Sequence, residues 1–282
     1  MSDQNKDQTT TTSGAGTVTA YVIAFNEEQK IRETLATLQW ADDILLVDSH
    51  STDRTAEIAR SMGARVVQVE FNGFGDLRNK AIEACKGNWI FSLDSDERCT
   101  AAVRDEVLQI VRSPSAAHEL YFVPRRNYFM GRWIRHSGWY PNYRQPQLFR
   151  RGAMRYDTLP VHEGFVSLSN RPAGYLKNAI WQYPFKGVGE VLRKADRYSS
   201  LGALKLLDRR ITPASALLHG IWSFLRHYVF KGGALDGWSG LVIAIGNFEG
   251  TFYRHLKAYE IQHKDVLAPP RAEPVGREDI RE

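Results

Sequence analysis

The segment Asp94-Ser95-Asp96-Glu97 sets three carboxylates within four positions. It follows directly on Trp89-Ile90-Phe91-Ser92-Leu93, whose apolar and aromatic make-up is that of a buried strand. Carboxylates crowded at a strand terminus repel one another unless positive charge sits among them. Mg²⁺ and Mn²⁺ take oxygen ligands and keep several waters, so one or two carboxylates and a bound diphosphate complete such a site. Asp-x-Asp at a strand end is therefore a candidate holder of a cation and a phosphorylated ligand. A solvated acidic turn is the plain alternative, and the upstream chain bears on the choice.

The elements before this segment alternate. Val18–Phe25 is a β-rich run, after which Asn26-Glu27-Glu28 opens a helix with an apolar face of Ile31, Leu35 and Leu38. Asp43–Asp48 reads as a second buried strand, Ser49–Asp53 as a loop, and Arg54–Met62 as a helix closed by Gly63. Arg65–Val69 is a third strand, Leu77–Lys86 a helix closed by Gly87, and Ala101–Val111 a helix after the acidic segment. Such alternation implies right-handed crossovers and a parallel sheet, and ligands collect beyond the carboxyl ends of its strands. Those ends here carry Asn26-Glu27, Asp48 and Asp94/Asp96. Helix capping accounts for Asn26 and Asp53, but Asp48 stands several residues before its helix. Neither Gly-x-Gly-x-x-Gly nor Gly-x-x-x-x-Gly-Lys-Ser/Thr occurs, which disfavours dinucleotide redox chemistry and P-loop hydrolysis.

With 282 residues, 43% apolar and 24% charged, the chain is long enough for one large domain or a domain with an appendage. The formal charge of +5 is unevenly placed: eight arginines from Arg125 to Arg155 face only Asp157 between Leu120 and Pro160. Such a block suits phosphate-bearing partners, an anionic membrane face, or a merely solvated surface. Trp133, Trp139, Tyr140, Tyr143 and Tyr156 stand among the arginines, a mixture that fits sugar or lipid phosphate better than nucleic acid. Cys85 and Cys99 are too few for a disulfide framework, and the polar stretch Met1–Gly16 lacks a signal peptide's apolar core. A reducing cytoplasm is the expected compartment. The last third reads as helices over Val188–Tyr198, Ala214–Phe230 and Trp238–Tyr259, suited to docking on a membrane surface or to packing on the core.

With the acidic strand ends placed, the chain resembles glycosyltransferase family 2, the inverting nucleotide-sugar transferases of GT-A fold. Within it the likeness is to lipopolysaccharide-core enzymes of the heptose β-1,4-glucosyltransferase type. The residues that carry it in the first half are Ala24-Phe25-Asn26-Glu27-Glu28, Asp48 to Thr55, Gly73-Phe74-Gly75, Arg78-Asn79 and Leu93 to Arg98. Further on come Pro124 to Tyr128, Gly138-Trp139-Tyr140-Pro141, Leu148 to Arg151 and Val161-His162-Glu163.

The resemblance implies an α/β fold, GT-A, with a Rossmann-like, mainly parallel sheet flanked by helices and a C-terminal helical appendage. With the composition of its two ends, the chain divides into a disordered leader (1–16), a catalytic domain (17–185), a helical region that associates with membrane or core (186–262) and a flexible tail (263–282). Within the catalytic domain, 17–100 would serve the nucleotide sugar and 101–185 the acceptor. Ala24, Asn26, Glu27 and Ser51 would border the nucleotide, Asp48 would take a hydrogen bond from uracil, and Arg78 would approach the diphosphate. Asp94 and Asp96 would hold ribose and a Mg²⁺– or Mn²⁺–diphosphate. Glu163 would be the catalytic carboxylate, with Asp157 in reserve; Trp139, Tyr140, Arg126 and His162 would meet the acceptor.

The expected reaction is transfer of a hexose, with inversion, from a UDP-sugar to a hydroxyl of a lipopolysaccharide-core sugar or another glycan. A peptide side chain is the alternative acceptor, and the inner face of a bacterial plasma membrane the expected place of work. Two departures stand out: Gln147 replaces the arginine relatives carry before Leu-Phe, and Gln182 stands where a histidine ligand is expected. A sugar-1-phosphate nucleotidyltransferase would need a glycine-rich basic loop after the first strand, which Ala24–Glu28 lacks. A non-catalytic glycolipid-binding module would have no use for acids at three strand ends.

Overall fold

The computed structural model describes residues 16–157, 164–185 and 187–267. The expected leader and tail lie, apart from Gly16 and residues 263–267, outside the described residues. The chain forms two compact units. Of the described residues, one unit holds those up to Arg135 together with those from Trp139 to Pro184; the other holds His136–Gly138 and those from Phe185 onward.

The strands of the first unit are β1 (Val18–Ala24), β2 (Asp43–Asp48), β3 (Arg65–Gln68), β4 (Trp89–Asp94), β5 (Glu97–Arg98), β6 (Leu120–Phe122) and β7 (Arg125–Phe129). They continue with β8 (Arg132–Trp133), β9 (Pro146–Arg150), β10 (Met154–Tyr156), β11 (Phe165–Ser167), β12 (Gly174–Tyr175) and β13 (Ile180–Gln182). Helices α1 (Ile31–Ala36), α2 (Thr55–Ser61) and α3 (Phe74–Ala84) connect the first four strands, and α4 (Ala101–Arg112) follows β5.

Seven strands make one sheet in the order β3-β2-β1-β4-β9-β6-β12, in which β9 alone runs against the others. Alternate residues of each strand face opposite ways, and helices cover both faces, so β1 is buried throughout. Val18, Ala20 and Val22 pack with Ile31, Leu35 and Val107 on one side; Tyr21 and Ile23 pack with Leu77, Ala81 and Tyr156 on the other. At the centre Ala24 pairs with Asp48 and Ile23 with Asp94, so the carboxyl ends of β2, β1 and β4 are level.

The chain then leaves this sheet. β5 belongs to a second sheet, β5-β13-β7-β8, so Ser95-Asp96 is the turn between two sheets. The region from Leu120 that breaks the helix–strand alternation forms short strands feeding both sheets and the β10–β11 hairpin.

Two local expectations are corrected. The first helix starts at Ile31, not after Asn26, and Asn26 caps nothing in it. The third ends at Ala84, and Gly87 is needed for a different reason: a Cβ there would lie 2.5 Å from the Thr19 nitrogen as the chain passes β1.

In the second unit, α5 (Val188–Ala203), α6 (Pro213–Leu225) and α7 (Gly237–Gln262) are joined by short 3₁₀ turns and a π turn over Arg226–Phe230. Thr212 and Ser215 form a reciprocal capping box that starts α6. The His136–Gly138 segment is held here by Asp236, which accepts from Ser137 Oγ at 2.9 Å and from the His136 N–H at 3.1 Å. Among the described residues no helix is long and apolar enough to cross a membrane.

Candidate active site

The loops after β1 and β2 are stitched together by polar side chains. Asn26 sits at φ 54°, a left-handed conformation that asparagine tolerates. Its N–H donates to Ser51 Oγ at 2.9 Å, and its Oδ1 accepts from the Thr52 N–H at 2.8 Å. The Glu27 N–H donates to Thr55 Oγ1 at 2.8 Å and the Glu28 N–H to Asp53 Oδ2 at 3.1 Å. Asp48 is fully buried; it accepts from the Ser51 N–H at 3.1 Å, from the Gln68 amide at 2.7 Å and from the Ser51 hydroxyl. Oδ1 of Asp48 thereby keeps a lone pair for one further donor.

The acidic segment is organised by Glu97, a residue sequence reasoning left without a role. Glu97 is sealed from solvent, and its Oε1 meets Arg125 Nε at 2.5 Å. Its Oε2 accepts from the Asp94 N–H at 3.0 Å and from the Gln147 amide at 2.8 Å. Gln147 is itself buried and also donates to the Ser92 carbonyl at 3.2 Å. The substitution at Gln147 thus alters the support of the turn and not a surface contact. Asp94 Oδ1 accepts from Arg78 Nη2 at 2.7 Å. Burial opposes its charge, but Arg78, Arg125 and the exposed Arg144 hold its carboxyl below the usual range.

Asp96 has no such counterweight. Burial, with Glu97 and Asp94 nearby, pushes its carboxyl up to about 7, against lowering by Lys30 and by the Gln182 amide. Its Oδ2 accepts from the Gln182 amide at 3.4 Å. Among the described residues no group of three or more His, Cys, Asp or Glu is placed to hold a metal ion. The donor set is nevertheless of the right chemistry for a hard cation: carboxylate oxygens on Asp94 and Asp96, with Arg78 paired to Asp94.

Residues 19–173 match the family model described as Glycosyl transferase family 2. The chain belongs to glycosyl transferase family 2. It is a glycosyltransferase of GT-A fold, with its central sheet flanked by helices and helices at the C-terminal end. Over 270 residues it is 29% identical to the lipopolysaccharide core biosynthesis glycosyltransferase LpsC of Rhizobium meliloti, covering 89% of this chain and 93% of that one. Among solved structures it is similar to S. aureus TarS 1–349 in complex with UDP-GlcNAc (15% identity, TM-score 0.47, 88% and 92% of the two chains). It is also similar to glucosyl-3-phosphoglycerate synthase of Mycobacterium tuberculosis with Mn²⁺, UDP and glucosyl-3-phosphoglycerate (24% identity, TM-score 0.32, 40% and 44%).

The arginine block of this glycosyltransferase is not one phosphate-binding surface. Arg125 is inside, paired with Glu97; Arg150 covers the Trp89 ring at 5.0 Å; Arg151 Nε donates to the Gly87 carbonyl at 3.1 Å. Arg126 and Arg135 clasp Trp133 from 4.5 and 4.4 Å, and Tyr140 meets the same ring edge-on at 5.3 Å. Arg126 and Tyr140 therefore meet at Trp133. Trp139 instead packs against Phe129 at 6.0 Å, and its carbonyl accepts from Asn127. His162 and Glu163 lie outside the described residues. Asp157 is described, and its N–H donates to the Gly164 carbonyl at 3.0 Å. Both cysteines are buried thiols pushed up to about 12 by burial.

Proposed function

We propose that this glycosyltransferase moves a hexose, with inversion, from a UDP-sugar to a hydroxyl of a lipopolysaccharide-core sugar or related glycolipid, with Mg²⁺ or Mn²⁺ as cofactor. One observation carries the donor reading: the ends of β1, β2 and β4 are level, and the turn beyond them holds Asp96, whose carboxyl burial and the neighbouring Glu97 and Asp94 push up. Strands lie about 4.8 Å apart, so Asp48 and Asp94 flank β1 at a separation near 10 Å, a span suited to a nucleoside between them.

In this reading Ala24, Asn26, Glu27 and Ser51 border the nucleoside, and Asp48 takes a base N–H on its remaining lone pair. Asp94 and Asp96 are the residues that would hold the divalent ion, which when bound would spread the charge of the departing diphosphate. Arg78, fixed by Asp94, and Arg144 add positive charge on the leaving-group side. Glu163 takes the proton of the attacking hydroxyl, general-base help worth about 10²–10⁴-fold. Arg126 and Tyr140, which meet at the Trp133 ring, are with Trp139 and His162 the contacts of this reading to the acceptor sugar. The lipopolysaccharide-core acceptor class is supported by the likeness to LpsC over nearly the whole chain. A lipid-linked acceptor would bring the enzyme to the cytoplasmic face of a bacterial plasma membrane.

The test is Glu163→Gln. Expected are loss of transfer and unchanged calorimetric affinity for UDP-sugar with Mn²⁺; turnover within severalfold of the parent moves the base elsewhere, with Asp157 next in line.

A further inference from the structure

Helix α6 is built inside out. Its small residues Ala216, Gly220 and Ser223 face α7: a Cβ on Gly220 would meet Phe248 at 2.9 Å, and Ser223 Oγ donates to the Asn247 carbonyl at 3.1 Å. Its bulky residues face solvent: Leu218 is 67% exposed, Trp222 56%, and Leu217, Ile221 and Leu225 are exposed beside them. Helical spacing of three and four residues puts these side chains on one stripe. Phe230, 70% exposed, extends the stripe into the π turn, where its ring lies 5.6 Å from that of Trp222. A helix on a water-soluble core turns its large apolar residues inward, and a contiguous exposed patch of this kind marks a binding surface.

The charges identify the occupant. From Arg209 to Trp238 the cations are Arg209, Arg210, Arg226 and Lys231, while the sole acid, Asp236, is buried. A second copy of this chain docked on the same face would set arginine against arginine. An anionic lipid surface would meet both the cations and the apolar stripe. At 13 residues α6 is about 20 Å long, too short to span a bilayer but sufficient to lie in its interface with Trp222 at headgroup depth.

We propose that the Leu218–Trp222–Phe230 face of α6 seats this enzyme on an anionic phospholipid surface. The proposal extends the glycolipid-acceptor reading to a named surface, and it can fail separately from the donor chemistry.

The experiment is co-sedimentation of the full chain with phosphatidylcholine vesicles, with and without one quarter phosphatidylglycerol. It is run for the parent and for the Leu218→Glu/Trp222→Glu double variant, with UDP affinity by calorimetry as the control. Binding to anionic vesicles that is weaker on neutral ones, falls with salt and drops about tenfold or more in the variant at unchanged UDP affinity supports the proposal. Absence of vesicle binding by the parent overturns it. So does vesicle binding equal in parent and variant, or a concentration-dependent dimer that the variant abolishes. Vesicle binding without UDP affinity in the parent would leave this surface standing and remove the donor reading instead.

Discussion

The strand ends of the first unit and helix α6 of the second depart from ordinary folding in opposite directions. At the strand ends charge is buried: Glu97 and Arg125 are paired out of reach of water, and Asp96 is pushed toward neutrality. On α6 apolar bulk is left in water. Both arrangements cost free energy in the isolated chain. In the proposed function a divalent ion with a phosphorylated donor would relieve the first, and in the proposed seating of α6 a lipid surface would relieve the second. Departures from good folding practice tend to mark function, and the sign of the departure indicates the chemistry of the missing partner.

The largest expected effect is at Glu97. Replacement by alanine leaves Arg125 buried without its partner and strips the Asp94 N–H and the Gln147 amide of an acceptor. Breaking one side of a buried ion pair costs about 3–5 kcal/mol. Urea unfolding of Glu97→Ala should show that loss, and an unchanged midpoint would mean the acidic turn is held by other contacts.

Asp96 sharpens the same side of the comparison through pH. Its carboxyl rises from an ordinary 3.8 to about 7 in the folded chain, so between those values the folded state holds a proton that the unfolded state has released. Without divalent ion, stability should therefore fall as pH rises from about 4 to about 7, and Asp96→Asn should flatten that slope. Affinity for Mn²⁺ with UDP should run the other way, rising with pH up to about 7 because the ligand must be deprotonated. Thermal melts across pH, with and without Mn²⁺, check both signs.

Much of the strand-end region is legible in the sequence, because short-range rules govern it. Short continuous apolar runs mark the first four strands, glycines and polar loops punctuate them, and acids at the ends of the second and fourth stand out against those runs. What is not legible depends on contacts far apart in the chain. Glu97 reads as one more acid of a cluster until β7 brings Arg125 and β9 brings Gln147 against it. The arginine block reads as a single surface because sequence neighbours are assumed to be spatial neighbours. Alternating strand faces and the passage between two sheets instead send Arg125 inward and Arg150 over Trp89. The strands after β5 are two to five residues long, too short for periodicity to register. On α6 the apolar content is plain in the sequence, but which face it takes is set by Gly220 and its small neighbours against α7.

The smallest expected effect tests that inversion directly. If α6 presented Trp222 to a core, truncating it would cost about 3–5 kcal/mol. Because Trp222 is more than half exposed, Trp222→Ser should change unfolding free energy by no more than about 0.5 kcal/mol. Gly220→Leu, one helical turn away from Ser223 and pressed against Phe248, should instead cost about 1–3 kcal/mol by overpacking. The ordering matters more than either value, since a small residue that tolerates nothing and a large one that tolerates removal are the signature of a helix whose bulky side serves a partner. Denaturant unfolding of the two variants side by side measures it; a costly Trp222→Ser with a harmless Gly220→Leu would turn α6 back into an ordinary core helix.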